Sequence, residues 1–309
     1  MIDMTPSTPP QLTLGPVLFN WEPAVWRDFY FRIADEAPVD RVFVGEVVCS
    51  KRASFFADHL PEVLERLAAA GKDIVLSTPI LVTTERERQG VRELAASDAY
   101  RVEANDLGAL PYLAGRPHAI GPFINVYNEG TLAWMARRGA VSVSLPGELT
   151  RPAVAALGQA ARGLDVALEV QVFGRLPLAI SARCYHARAH NLHKDNCQYI
   201  CNQDANGLDV ETLDNEPFLS INGTQTLSHA YVALGAELAD LRSLGINHFR
   251  LSPHSIDMVR VSRLFREVLD NQAGVESLNA SLKAMVGEPG LSNGFYHDQE
   301  GVRFVASSG

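Results

Sequence analysis

The chain has 309 residues, 47% of them hydrophobic, with a net charge of -9 and a pI of about 5.5. That length admits one large domain or two modest ones with a sizeable core. The acidic balance argues against a nucleic-acid backbone as the main partner, because that affinity comes largely from Lys and Arg, and no apolar run approaches the roughly 20 residues of a membrane span.

The N-terminus, residues 1–11, is rich in Pro, Ser and Thr and reads as a disordered lead. It lacks the basic start and apolar stretch of a secretory signal, so a cytoplasmic location is expected. From there, short apolar runs alternate with amphipathic stretches. Strands are expected near Leu12–Asn20, Arg41–Val48, Asp73–Thr78, Tyr100–Ala104, Ala119–Val126, Ala140–Leu145, Ala167–Phe173 and Asn247–Leu251. Several are nearly all apolar and rich in β-branched residues, such as Val42-Phe43-Val44, as strands of a parallel sheet buried on both faces are. Helices are expected over Pro23–Ala37, Ser54–Ala70, Thr84–Ser97, Glu129–Arg138, Arg151–Arg162, Ser228–Ser243 and Ile256–Leu269. Gly71, Gly139 and Gly245 sit where helices should stop before the next strand.

This alternation predicts an α/β fold, a (β/α)8 TIM-barrel-like domain over residues 12–286. Its pattern breaks at residues 176–226, an insertion after the seventh strand with no clear periodicity, rich in Asn, Asp, His and Gly. Residues 287–309 read as a C-terminal extension. No Gly-x-Gly-x-x-Gly opens a helix after a strand. Signatures of zinc peptidases and of serine hydrolases are also missing.

Cysteine is used sparingly and then clustered. Of four, Cys184, Cys197 and Cys201 crowd into the insertion, while Cys49 follows the second expected strand. Residues just past barrel strands line the functional face, so all four thiols can reach one point. Cysteines in a reducing compartment suggest free thiols or metal ligands. Four thiolates suit an iron–sulfur cluster; zinc could take four cysteines, or three with His186, His190 or His193. Idle buried thiols and a cysteine nucleophile with His186 as its base are the remaining readings. Lys51, Arg52, Arg183 and Arg188 flank the cysteines and could offset thiolate charge. Candidate catalytic residues are Asn125, Glu148 and Arg183. The first two, with Asn128, fall near strand ends at the barrel mouth, although Glu148 could instead cap the next helix. Asn222 and Gln225 read mainly as turn residues. Arg250 is either an anion-binding residue or part of a barrel-interior ion pair.

The spacing Cys184-x12-Cys197-x3-Cys201, with Cys49 in Glu46-Val47-Val48-Cys49-Ser50-Lys51-Arg52, resembles the ubiquinone-biosynthesis members of the collagenase-like peptidase family U thirty-two. Phe123-Ile124-Asn125-Val126-Tyr127-Asn128, Pro177 to Cys184 and Asn222 to Ser228 resemble further family blocks; Ser144 to Leu149 matches more loosely. The likeness runs from about Pro16 to Val268. It implies a 4Fe-4S cluster held by Cys49, Cys184, Cys197 and Cys201. It also implies a homologous, UbiU-like partner in a heterodimer and a UbiT-like lipid-binding protein. The implied activity is that of a subunit in an oxygen-independent hydroxylase complex that acts on prenylated phenol precursors, with prephenate as hydroxyl donor. Alternatives are a peptidase or collagenase-type hydrolase of the same family, or a zinc-stabilised scaffold.

Overall fold

A computed structural model describes residues 9–306; most of the expected N-terminal lead lies outside the described residues. Seven parallel strands follow one another: β1 (Gln11–Leu14), β2 (Arg41–Val44), β3 (Asp73–Ser77), β4 (Arg101–Ala104), β5 (His118–Ile120), β6 (Ala140–Ser144) and β7 (Ala167–Ile180). The excursion after β7 carries β8 (Leu208–Glu211), β9 (Pro217–Asn222) and β10 (Gln225–Ala233). The chain then returns to the barrel with β11 (His248–Leu251) and ends near β12 (Leu291–Ser292). Strand β11 pairs in parallel with β1 on one side, as Leu12 with Phe249, and with β7 on the other, as Phe249 with Val170. The sheet therefore closes on itself as an eight-stranded parallel barrel within a ring of helices.

Alternate strand residues explain the two cores. Val42 and Val44 join the large apolar layer between barrel and helices, while Phe43, Val75 and Ala119 form a separate small cluster. Polar groups complete the buried strand faces. Arg250 Nη1 donates to Glu103 Oε1 at 2.7 Å and to Glu169 Oε1 at 2.9 Å, and the guanidinium lies over the Phe43 ring. Thr13 Oγ1 donates to Glu169, and Ser77 Oγ donates to Glu103, each at 2.6 Å. Arg250 is thus the interior ion-pair member. Burial alone would push the Glu169 carboxyl up, but the Arg250 charge and the Thr13 bond outweigh it and hold it below the usual range.

Gly71, Gly139 and Gly245 have φ of 72°, 103° and 93°, the left-handed region that ends a helix without a Cβ penalty. The expected helix Ser54–Ala70 is two helices, Ala53–Phe56 and Leu60–Ala69, the second with Pro61 in its first turn. A helix at Val275–Val286 had no counterpart among the expected elements. The expected helix Ser228–Ser243 is wrong in its first half. Residues Gln225–Ala233 are strand β10, and only Leu238–Ser243 is helical. The reason is tertiary. Strand β7 does not stop at Phe173 but runs on to Ile180, and β10 pairs antiparallel with this run-on, as Val232 with Gly174. Strands β9 and β8 extend the antiparallel flap. The ends of the unpatterned insertion are therefore paired strand, while its cysteine-bearing middle, residues 181–207, is made of turns and short helices. The C-terminal segment packs back: β12 pairs with β10, and Tyr296 donates to Asp240. Among the described residues, no helix is long and apolar enough to cross a membrane.

Two glycines test how tightly the helix ring packs. In the helix Arg151–Ala161, a Cβ on Gly158 would run into the Leu244 carbonyl oxygen, whereas Gly90 in the helix Glu85–Ala96 has open space around it. Propensity alone favours alanine at both by up to about 1 kcal/mol. Urea unfolding is expected to show Gly90→Ala stabilised and Gly158→Ala destabilised by about 1–3 kcal/mol, the overpacking cost. Equal gains at both would contradict the packing.

Candidate metal centre and adjoining groove

Strand β2 is followed by Gly45 at φ 150°, a position where a Cβ would meet the Ser77 carbonyl oxygen. The half-buried Glu46 carboxylate then accepts from the Val48 and Cys49 N–H groups at 2.9 and 2.8 Å, which folds the loop and fixes Cys49. Burial pushes the Glu46 carboxyl up, against the nearby Arg52 charge and these two bonds. At the far end of β7, Cys184 opens the short helix Tyr185–Ala189, and its sulfur accepts from the Ala187 N–H at 3.4 Å. Gln198 and Tyr199 both sit in the left-handed region, at φ 50° and 54°. This costly turn brings Cys197 and Cys201 back on each other.

The structure brings Cys49, Cys184, Cys197 and Cys201 to the walls of one small cavity, together with Arg52, Lys194 and Thr224. All four are free thiols. Asn20 Nδ2 donates to Cys201 Sγ at 3.6 Å. Thr224 Oγ1 donates to the Val48 carbonyl, tying the β9–β10 turn to the Cys49 loop.

Of the four cations expected beside the cysteines, Arg52 is the one the fold buries in the cavity wall. It is 1% exposed. Its Nη1 donates to the Leu18 carbonyl and its Nη2 to Asn222 Oδ1, while Nε has no partner. Burial pulls its pKa down, but the negative potential of Glu46, Cys201 and Cys49 outweighs that and holds it above its ordinary value. Asn222 therefore does more than turn the chain: it clamps this guanidinium and donates to Leu18. Of the other flanking cations, Lys51 donates to the Lys194 carbonyl, and Arg183 and Arg188 are exposed.

The donor set fits a soft-metal centre. Four sulfurs share one cavity, two N–H groups point at sulfur, and a buried cation with an orphaned N–H stands ready to balance thiolate charge. Burial, countered by nearby Arg52, pushes the Cys49 thiol up; the same effect, with Cys201 and Cys197 nearby, pushes Cys184 up. Both therefore ionise readily only when a metal takes the proton's place. His186 is turned to Asp204 at 2.8 Å, and burial first lowers its pKa. It is not paired with Cys184 as a general base would be.

A second feature lies at the mouth of the barrel. The segments after β3, β5 and β6 and the β7 run-on enclose a groove of about 300 Å³. Leu81, Phe123, Leu178 and Ile180 supply apolar walls, and Asn125, Tyr127 and Glu148 supply the polar end. Two of the three candidate catalytic residues, Asn125 and Glu148, thus meet here; Arg183 lines neither the groove nor the cysteine cavity. Asn125 stands at φ 61° after the turn Pro122–Ile124. Glu148 does not cap the following helix; its carboxylate accepts the phenolic O–H of Tyr127. Asn128 instead caps the helix Glu129–Arg137 by accepting from the Thr131 N–H. The sequence signal for Tyr127 was its place between Asn125 and Asn128, but only the fold sets it against Glu148.

The sequence model of Peptidase family U32 matches residues 30–305. Among solved structures, the chain is similar to one described as a dihydrodipicolinate synthase family protein from Coccidioides immitis, at 12% identity and a TM-score of 0.37. That match covers 55% of this chain and 62% of the other, and is too distant to carry an argument.

Proposed function

The chain belongs to peptidase family U32, and from that membership and the four-cysteine cavity we propose that it is a UbiV-like iron–sulfur protein. It holds a 4Fe-4S cluster through Cys49, Cys184, Cys197 and Cys201. With a UbiU-like homologous partner and a UbiT-like lipid-binding protein, it serves the oxygen-independent ring hydroxylation of prenylated phenol precursors in ubiquinone synthesis, with prephenate as hydroxyl donor. The observation that carries this reading is the meeting of all four cysteines, drawn from distant chain segments, around one cavity.

When bound, such a cluster supplies one-electron chemistry whose potential follows charge and hydrogen bonding around the sulfurs. This chain's own residues would tune it: Arg52 by charge, Asn20 and the Ala187 N–H by donating to sulfur. Ligation by four cysteines would leave no site on iron for substrate, so substrate contact would fall to residues elsewhere.

The pathway assignment is tested in cells. Cys197→Ala is expected to abolish quinone synthesis without oxygen and to leave aerobic synthesis intact. Quinone extracted from cultures grown both ways checks this; equal loss in both would sink the assignment. A zinc-stabilised scaffold is the second reading, favoured by the same four-sulfur set.

A further inference from the structure

We propose that the groove at the barrel mouth binds a neutral phenol, its ring against Leu81, Phe123, Leu178 and Ile180 and its hydroxyl donated to Glu148. The inference rests on the function proposed above and places the substrate ring.

Position comes first. The walls come from segments that follow barrel strands β3, β5 and β6, the face where barrels of this kind carry their sites. A volume of about 300 Å³ suits one substituted ring. The β7 run-on that supplies Leu178 and Ile180 passes directly into Ser181, whose N–H donates to the Thr224 carbonyl. Thr224 in turn lines the cysteine cavity, so one strand end borders both.

The chemistry then selects the ligand. Leu178 is 40% exposed, an apolar side chain left open on the groove wall. The groove has one carboxylate and no Lys or Arg in its lining, so it repels an anionic ring and suits a neutral one that can donate a hydrogen bond. The chain already contains such a group in place: Glu148 accepts the O–H of a phenol, Tyr127. Tyr127 is 44% exposed, so its ring can swing out and surrender the carboxylate. Burial, then the Glu148 bond and charge, push the Tyr127 phenol up to about 12. A phenol in this position stays protonated and remains a donor. Tyr127 thus acts as an internal stand-in that an incoming phenol displaces.

The test uses full-length protein purified without oxygen and two probes, 2-propylphenol and its methyl ether, followed by ligand-observed NMR titration. The phenol is expected to bind roughly tenfold or more tightly than the ether, the worth of a hydrogen bond to a charged acceptor. Glu148→Ala should erase that preference, and Leu178→Ser should weaken both probes. Tyr127→Phe is the decisive variant: it removes the competing phenol and should tighten 2-propylphenol several-fold, whereas a merely structural tyrosine would weaken it or leave it unchanged. Equal binding of the two probes, no binding, or a Tyr127→Phe variant that fails to bind the phenol more tightly overturns the proposal. Iron content of the same sample keeps the two readings apart. Iron-free protein with phenol selectivity overturns the cluster assignment only; iron-loaded protein without selectivity overturns the groove assignment only.

Discussion

Arg250→Met is expected to cost the fold about 3–5 kcal/mol, because it strips the shared cation from two buried carboxylates. Glu103 and Glu169 are 1% and 2% exposed, and both accept from the same Arg250 Nη1. Without Arg250, each carboxylate faces a like charge in a low-dielectric interior, with Ser77, Asn105 and Thr13 as its remaining donors. One of them must then take up a proton. The loss should therefore be greater at high pH than near pH 4. Urea midpoints measured at both pH values check the size and the sign; a loss that does not depend on pH would show that the guanidinium serves only as packing over Phe43.

Arg52→Gln has the second large effect, and it falls on the metal centre as well as on the fold. The substitution takes the donor from Asn222 Oδ1, one of two donors from the Leu18 carbonyl, and the favourable Arg52 charge from Glu46. On the order of 3 kcal/mol of stability should go with them. The cysteine cavity also loses the one fully buried positive charge in its wall. A cluster with four thiolates is anionic, so its potential should move to more negative values and its retention should fall. Arg52→Lys should restore most of the potential, since it keeps the charge while losing the forked hydrogen bonds. Redox titration of the anaerobic proteins, with Arg188→Gln as an exposed control, is the measurement. A potential unchanged by Arg52→Gln would show that the charge does not act on the cluster.

The barrel was legible because its strands are written locally. Val42 to Val44 and Ile74 to Leu76 are apolar and rich in β-branched residues whatever surrounds them, and Gly71, Gly139 and Gly245 mark helix ends by backbone freedom alone. Residues 228–233 were misread because Ser-His-Ala-Tyr-Val-Ala satisfies a helical period as readily as a strand. What decides between them is the run-on of β7 past Gly174, a partner far away in sequence. The same divide holds at the site. Cysteine clustering is a compositional signal and could be seen. The burial of Arg52 and the Tyr127–Glu148 contact are products of chain crossings with no local pattern. Asn128 misled for the opposite reason: its local capping role was strong enough to explain it without any site.

What the four sulfurs hold can be read directly from the purified protein. Protein purified and kept without oxygen should be brown, with broad visible absorption and about four irons and four sulfides per chain. Colourless protein carrying a single zinc, or no metal at all, would contradict it.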